Sequence, residues 1–211
     1  MKRAEPSETR AQLLHHGRQL VRRGGLRGLT VRGVCGAAGV NPGSFVYHFG
    51  SRERFLVELL EQTYAPLFAR IQADFVRQQA PIDRLRAMLI DLAQFVVETG
   101  PVLSQFVMDA FAGERAAAGF LRGLGVRHPQ LLLRCVAEAQ QAGELEQADP
   151  AHQLLFLMSS IGMPAIVRGM IRGRAVLPDL IQLAFARFAS DPAAIEQRLE
   201  WALRGLRPKE S

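Results

Sequence analysis

Three polar side chains close together in the chain, Arg32, Asn41 and Ser44, have the chemistry needed to read nucleic-acid bases. Arginine pairs in bidentate fashion with guanine, asparagine with adenine, and serine with either. Catalysis is harder to assemble. His15, His16, His48, His128 and His152 are scattered, and His15 and His16 would face different sides of a helix. No nucleophile–base pair, glycine-rich phosphate loop or metal-ligand cluster is visible, so no catalytic residue, cofactor or metal is expected and an enzyme is set aside. Cys35 and Cys135 have neither metal-ligand spacing nor a disulfide framework. Cys35 fits a small core position. Cys135 lies on an apolar helix face, where an inert buried thiol is a stronger reading than a redox sensor.

Base-reading side chains need a rigid element to present them. Residues 30–56, TVRGVCGAAGVNPGSFVYHFGSRERFL, read as two short helices joined by a tight turn and followed at once by a third. Thr30 is a good N-cap for the first, which ends at Gly39. Asn41-Pro42 opens the second with an Asn cap and proline at the first helical position. Gly50 closes it and Ser51 caps the next. A helix this short is not stable alone. A helix–turn–helix places such a helix in the DNA major groove.

The order Thr30, Gly39, Gly43, Tyr47, Phe49, Ser51, Arg52 resembles the DNA-binding region of the TetR family of bacterial transcriptional regulators. Two parts of the match are specific: the T-V-R…A-G-V turn and the G-x-x-x-Y-H-F-G-S-R run. The resemblance implies roles for particular positions. Thr30 falls on a hydroxyl that caps a helix and meets a phosphate. Tyr47 and His48 fall on phosphate donors at the end of the recognition helix. Arg52 falls on a basic position, usually lysine, that clamps a phosphate. Gly43 and Ser44 fall where the backbone comes close to DNA. Val46 departs from the pattern, since many members carry Tyr or Asn there. It cannot donate a hydrogen bond, which loosens any inference about operator sequence. Phe45 and Phe49 are assigned to the core.

Charge agrees independently. Residues 1–60 hold ten Lys and Arg against four Asp and Glu, while the remaining residues hold sixteen of each. The net charge of +6 therefore sits entirely on the first 60 residues, the footprint of a phosphate-binding end. Residues 1–6 read as a basic arm carrying Lys2 and Arg3.

At 211 residues with 48% hydrophobic content, the chain can bury a sizeable core. Helical spacing recurs throughout and no strand is convincing, so the expected fold is all-α. The expected division is 1–55 for the DNA-binding domain and 56–211 for a ligand-binding and dimerisation domain. A first helix spans about Ser7 to Arg23. A fourth runs from Ser51 to about Gln79, with Pro66 bending it. Gly100-Pro101 ends a further segment, and residues 113–127 read as indistinct. Gly162 and Pro164 bend the helix that starts after Asp149-Pro150. No apolar leader follows the N-terminal MKR, and the most apolar run, Leu154 to Val167, is too short to span a bilayer; a cytoplasmic protein is expected.

One short recognition helix reads few bases, so a homodimer spanning half-sites about 34–36 Å apart is expected. The candidate interface is Leu154, Leu157, Ile161 and Ala165 on one helix with Ile195, Leu199, Ala202 and Leu206 on another. Met88, Leu92, Phe95, Phe106, Phe111, Cys135 and Met158 are candidate walls of an apolar ligand pocket, with Gln105, Asp109, Arg134 and Glu138 as nearby polar groups. These features, with the resemblance, imply a repressor released from double-stranded operator DNA by a small apolar or amphipathic effector. A DNA-binding architectural or partner-controlled protein of the same fold, without an effector, is the alternative.

Overall fold

The computed structural model describes residues 6–77, 80–173 and 177–208. Lys2 and Arg3 lie outside them. Eleven helices and no strand occur among the described residues. The chain divides into two compact units. One comprises residues 1–65 and 105–123; the other comprises 66–104 and 124–211. The division thus differs from the expected single cut at residue 55. The first unit keeps helix α4 up to Ala65, one residue before Pro66, and adds a stretch from the middle of the chain.

In the first unit, α1 (Pro6–Gly24), α2 (Val31–Ala38) and α3 (Pro42–Phe49) precede the start of α4 (Arg52–Val76). Phe45, Phe49 and Phe55 form its centre, with ring centroids 4.7 to 5.4 Å apart. Aromatic rings at these separations gain specific edge and offset contacts beyond their buried area. Gly17 makes room for them, since a Cβ there would lie 2.5 Å from Phe55 Cζ.

The end of α5 (Pro81–Phe111) and α6 (Arg115–Leu124) complete this unit. Residues 113–127, indistinct in sequence, therefore contain a regular helix. Its buried face is made by Ala116 and Ala117, and Phe120 meets Tyr64 and Phe106 edge-on at 5.8 Å. Alanine gives little apolar periodicity, which is why glycine and arginine masked the helix.

The second unit contains α7 (His128–Gln141), α8 (Pro150–Ile161), α9 (Met163–Ile171), α10 (Asp179–Phe188) and α11 (Pro192–Gly205), with the remainders of α4 and α5. Its core includes Leu85, Met88, Leu89, Leu132, Leu157 and Leu199. Asp149 caps α8 through the amides of Ala151 and His152, and Asp191 caps α11 through Ala194. α8 and α9 meet at a 45° bend at Gly162, as expected from the proline beyond it. Gln140 and Gln153 are both buried; they bond each other at 3.1 Å and satisfy the carbonyls of Ala148 and Glu146. Buried amides need such partners.

Candidate nucleic-acid interface

Local sequence explains how α3 is presented. Asn41 Oδ1 accepts from Ser44 N at 2.9 Å, and Pro42 occupies the first turn. Gly39 (φ +66) and Gly50 (φ +71) end α2 and α3 in the left-handed region that favours glycine. Phe45 and Phe49, four residues apart, point into the core. That orientation leaves Val46 58% and Tyr47 78% exposed on the outer face. His48 is half-buried and stands edge-on to Tyr47, with centroids 5.0 Å apart.

Thr30 Oγ1 accepts from Gly33 N at 3.0 Å and caps α2, with Thr30 itself exposed. Arg32, Asn41 and Gly43 are exposed and Ser44 half-buried. Seven of the eight candidate DNA residues thus lie on α2, α3 and their caps, outside the aromatic core. Part of the basic excess is spent inside the unit: Arg10 pairs with Glu58 at 2.5 Å. Arg22, Arg23, Arg27, Arg32 and Arg54 remain exposed.

The eighth, Arg52, is placed differently from the phosphate clamp expected of it. Its Nε donates to Leu29 O at 2.7 Å, and one terminal nitrogen donates to Leu26 O at 2.6 Å and Glu114 Oε2 at 3.0 Å. Two carbonyls and a carboxylate hold the guanidinium within its own unit. Sequence reading missed these partners because Glu114 lies 62 residues away. It also offered Gln105 and Asp109 as ligand-orienting groups. Instead Gln105 donates to Asp109 Oδ1 at 2.9 Å, and buried Asp109 accepts from Leu26 N at 2.6 Å.

The expected ligand wall is divided between the two units. Met88 and Cys135 are fully buried in the second unit, their sulfurs 3.7 Å apart. Leu92 is buried there, and Phe95 and Met158 are half-buried. Phe106 belongs to the first unit, buried against Phe120, and Phe111 is 88% exposed. Arg134 and Glu138 lie beside Arg84, which pairs with Glu138. Burial pushes the Cys135 thiol up to about 11, which suppresses the reactive thiolate that redox sensing requires.

The expected dimer faces are corrected as well. Leu154, Leu157, Ile161 and Ala165 are buried within one chain, as are Ile195, Leu199 and Ala202; Leu206 is half-buried. α8 and α11 pack on each other, so their apolar stripes close the core of the second unit. On the same helices and on α9, the exposed large apolar residues are Leu155, Phe156, Met163 and Trp201.

Residues 13–59 match the family described as bacterial regulatory proteins, tetR family. Those residues carry a TetR-family DNA-binding region. Among curated relatives, the HTH-type transcriptional repressor KstR2 of Mycobacterium tuberculosis is 37% identical over 82 residues, 38% of this chain and 40% of its own length. The KstR2 of Mycolicibacterium smegmatis is 29% identical over 87 residues, 41% of this chain. The match spans about two fifths of each repressor's length. Solved TetR-like folds extend further. The SmeT–triclosan complex covers 95% of this chain and 92% of its own, with a TM-score of 0.70 at 14% identity. At that identity the likeness speaks for the fold alone. Outside residues 13–59, the family match leaves the chemistry of this chain to its own residues.

Proposed function

We propose that this chain is a transcriptional repressor of the cytoplasm that binds double-stranded operator DNA as a homodimer and is released by a small apolar or amphipathic effector. The observation that carries the DNA reading is α3. Its inner face is fixed by Phe45 and Phe49, and its outer face offers Tyr47 and Val46 next to His48. Thr30, Arg32, Asn41, Gly43 and Ser44 flank that face, in the part of the chain that holds the whole net charge of +6. Tyr47 and His48 donate to phosphates in this reading, Thr30 and the Gly43 backbone position the helix, and Arg32, Asn41 and Ser44 reach base edges. The dimer is proposed on the exposed apolar residues of α8, α9 and α11 rather than on their buried stripes.

The effector is supported by likeness of fold: SmeT, whose fold this chain shares, is solved as a complex with triclosan. One observation favours the alternative of a partner-controlled regulator without an effector. Met88 and Cys135 pack sulfur to sulfur where a pocket was expected.

Binding to fragments selected from random-sequence DNA, compared for wild type and Tyr47→Ala across salt, tests the DNA reading. Loss of one phosphate contact per protomer lowers the salt slope of a dimer by about two units. Weakening should be uniform across sequences. An unchanged slope and affinity would remove Tyr47 from the interface.

A further inference from the structure

The connection between α1 and α2 is held from both sides by opposite charges. On the donor side, Asp109 Oδ2 accepts from Leu26 N at 2.6 Å and, more weakly, from Arg27 N at 3.4 Å. On the acceptor side, Arg52 takes the carbonyls of Leu26 and Leu29, and Glu114 holds Arg52 in place. Asp109 is 3% exposed, so its amide partners satisfy a charge removed from water.

Both carboxylates sit on one tight turn. Gly113 adopts φ +89, and Glu114 N donates to Asp109 O at 2.9 Å. The approach is close enough to demand glycine opposite. Gly25 is at φ +71, and a Cβ there would lie 2.7 Å from Gln105 Cγ and 2.8 Å from Asp109 Oδ2.

These bonds reach both ends of the helix–turn–helix. Leu29 immediately precedes Thr30, the cap of α2, and Arg52 begins α4 directly after α3. We infer that Asp109 and Glu114 are positioning residues for DNA recognition, fixing the entrance and exit of the helix–turn–helix through Leu26 and Arg52.

The topology gives this contact a consequence. The stretch 105–123 is continuous at both ends with the second unit. The reader is therefore tied to that unit by three chain crossings, at residues 65, 104 and 123, rather than by α4 alone. Any shift that moves the 109–114 turn acts on Leu26 and Arg52.

The inference rests on the reading of α3 as the DNA-contacting helix, and its test has an arm that needs no DNA. Amide exchange is followed in wild type, Asp109→Ala, Asp109→Asn and Glu114→Gln. Asp109→Ala should speed exchange at Leu26 and Arg27 at least tenfold, while α8 and α11 keep their protection. Asp109→Asn retains an acceptor oxygen and should recover part of the loss. In the second arm, a 30-base-pair random-sequence duplex should bind Asp109→Ala and Glu114→Gln several-fold more weakly than wild type, with Asp109→Asn between.

Unchanged exchange at Leu26 and Arg27, or protection lost equally in both units, overturns the inference. So does full DNA affinity in the variants. If Asp109→Ala does not fold, Asp109→Asn and Glu114→Gln decide by the same two readouts. Wild type that binds no duplex overturns the DNA reading instead, and the exchange arm still tells whether the clamp exists.

Discussion

His128 opens α7 with its side chain buried, and desolvation, aided by the charge of Arg127, lowers its pKa to about 4. The position compounds the effect, because a cation at a helix N-terminus opposes the helix dipole. In an unfolded chain the same imidazole titrates near 6.5. Between about pH 6.5 and pH 4 the unfolded chain therefore holds a proton that the folded chain lacks. Stability must fall as pH drops through that window and be unaffected by this group above it. The loss by pH 4 is at most about 3 kcal/mol for a shift of this size. His128→Gln should flatten the stability slope between pH 6.5 and 4 relative to wild type in urea titrations. Parallel slopes would show that the imidazole is charged in the folded chain.

At the level of the helix, what could be read from sequence was what neighbouring residues decide. Thr30 capping Gly33, Asn41 capping Ser44 and the glycines at 39 and 50 act over three or four residues, so α2 and α3 were legible with their boundaries. α6 was not, because its buried face is Ala116 and Ala117 and its partners Tyr64 and Phe106 are remote in sequence. The family pattern misled at Arg52, where the side chain is drawn inward by Leu26, Leu29 and Glu114. Gly17 shows the same limit. Inside α1, glycine costs about 1 kcal/mol of helix propensity relative to alanine, which makes replacement look favourable. In three dimensions the new methyl would lie 2.5 Å from Phe55 Cζ and 3.2 Å from Leu59 Cδ1. Overpacking of this kind costs typically about 1–3 kcal/mol. Gly17→Ala should therefore lower the thermal midpoint, with the loss visible in unfolding of the first unit. A variant as stable as wild type would mean that Phe55 moves aside freely.

For the whole molecule, the proposed dimer raises the question of how two copies would meet, and periodicity alone chose faces that the second unit buries in its own core. A stripe of Leu154, Leu157 and Ile161 satisfies a neighbouring helix in the same chain as well as one in a partner, and sequence cannot separate the two. Leu199 is fully buried by α8 and its surroundings, so Leu199→Arg should unfold the second unit rather than dissociate a dimer. Dissociation calls for a residue outside the core. Trp201 is 62% exposed and Leu155 65% exposed, on the two helices whose inner faces close the unit. Leu155→Arg with Trp201→Glu should give a monomer in sedimentation at micromolar concentration, with helix content and thermal midpoint close to wild type. Wild type offers a second measurement, because Trp201 is the sole tryptophan. If the proposed face is right, Trp201 is shielded in the dimer and wet in the monomer. Its emission should then shift to the red on dilution, with the same midpoint as the fall in sedimentation coefficient. A dimer that dissociates without any change in tryptophan emission would place the interface elsewhere, with the exposed Leu180 and Leu183 of α10 the next face to substitute.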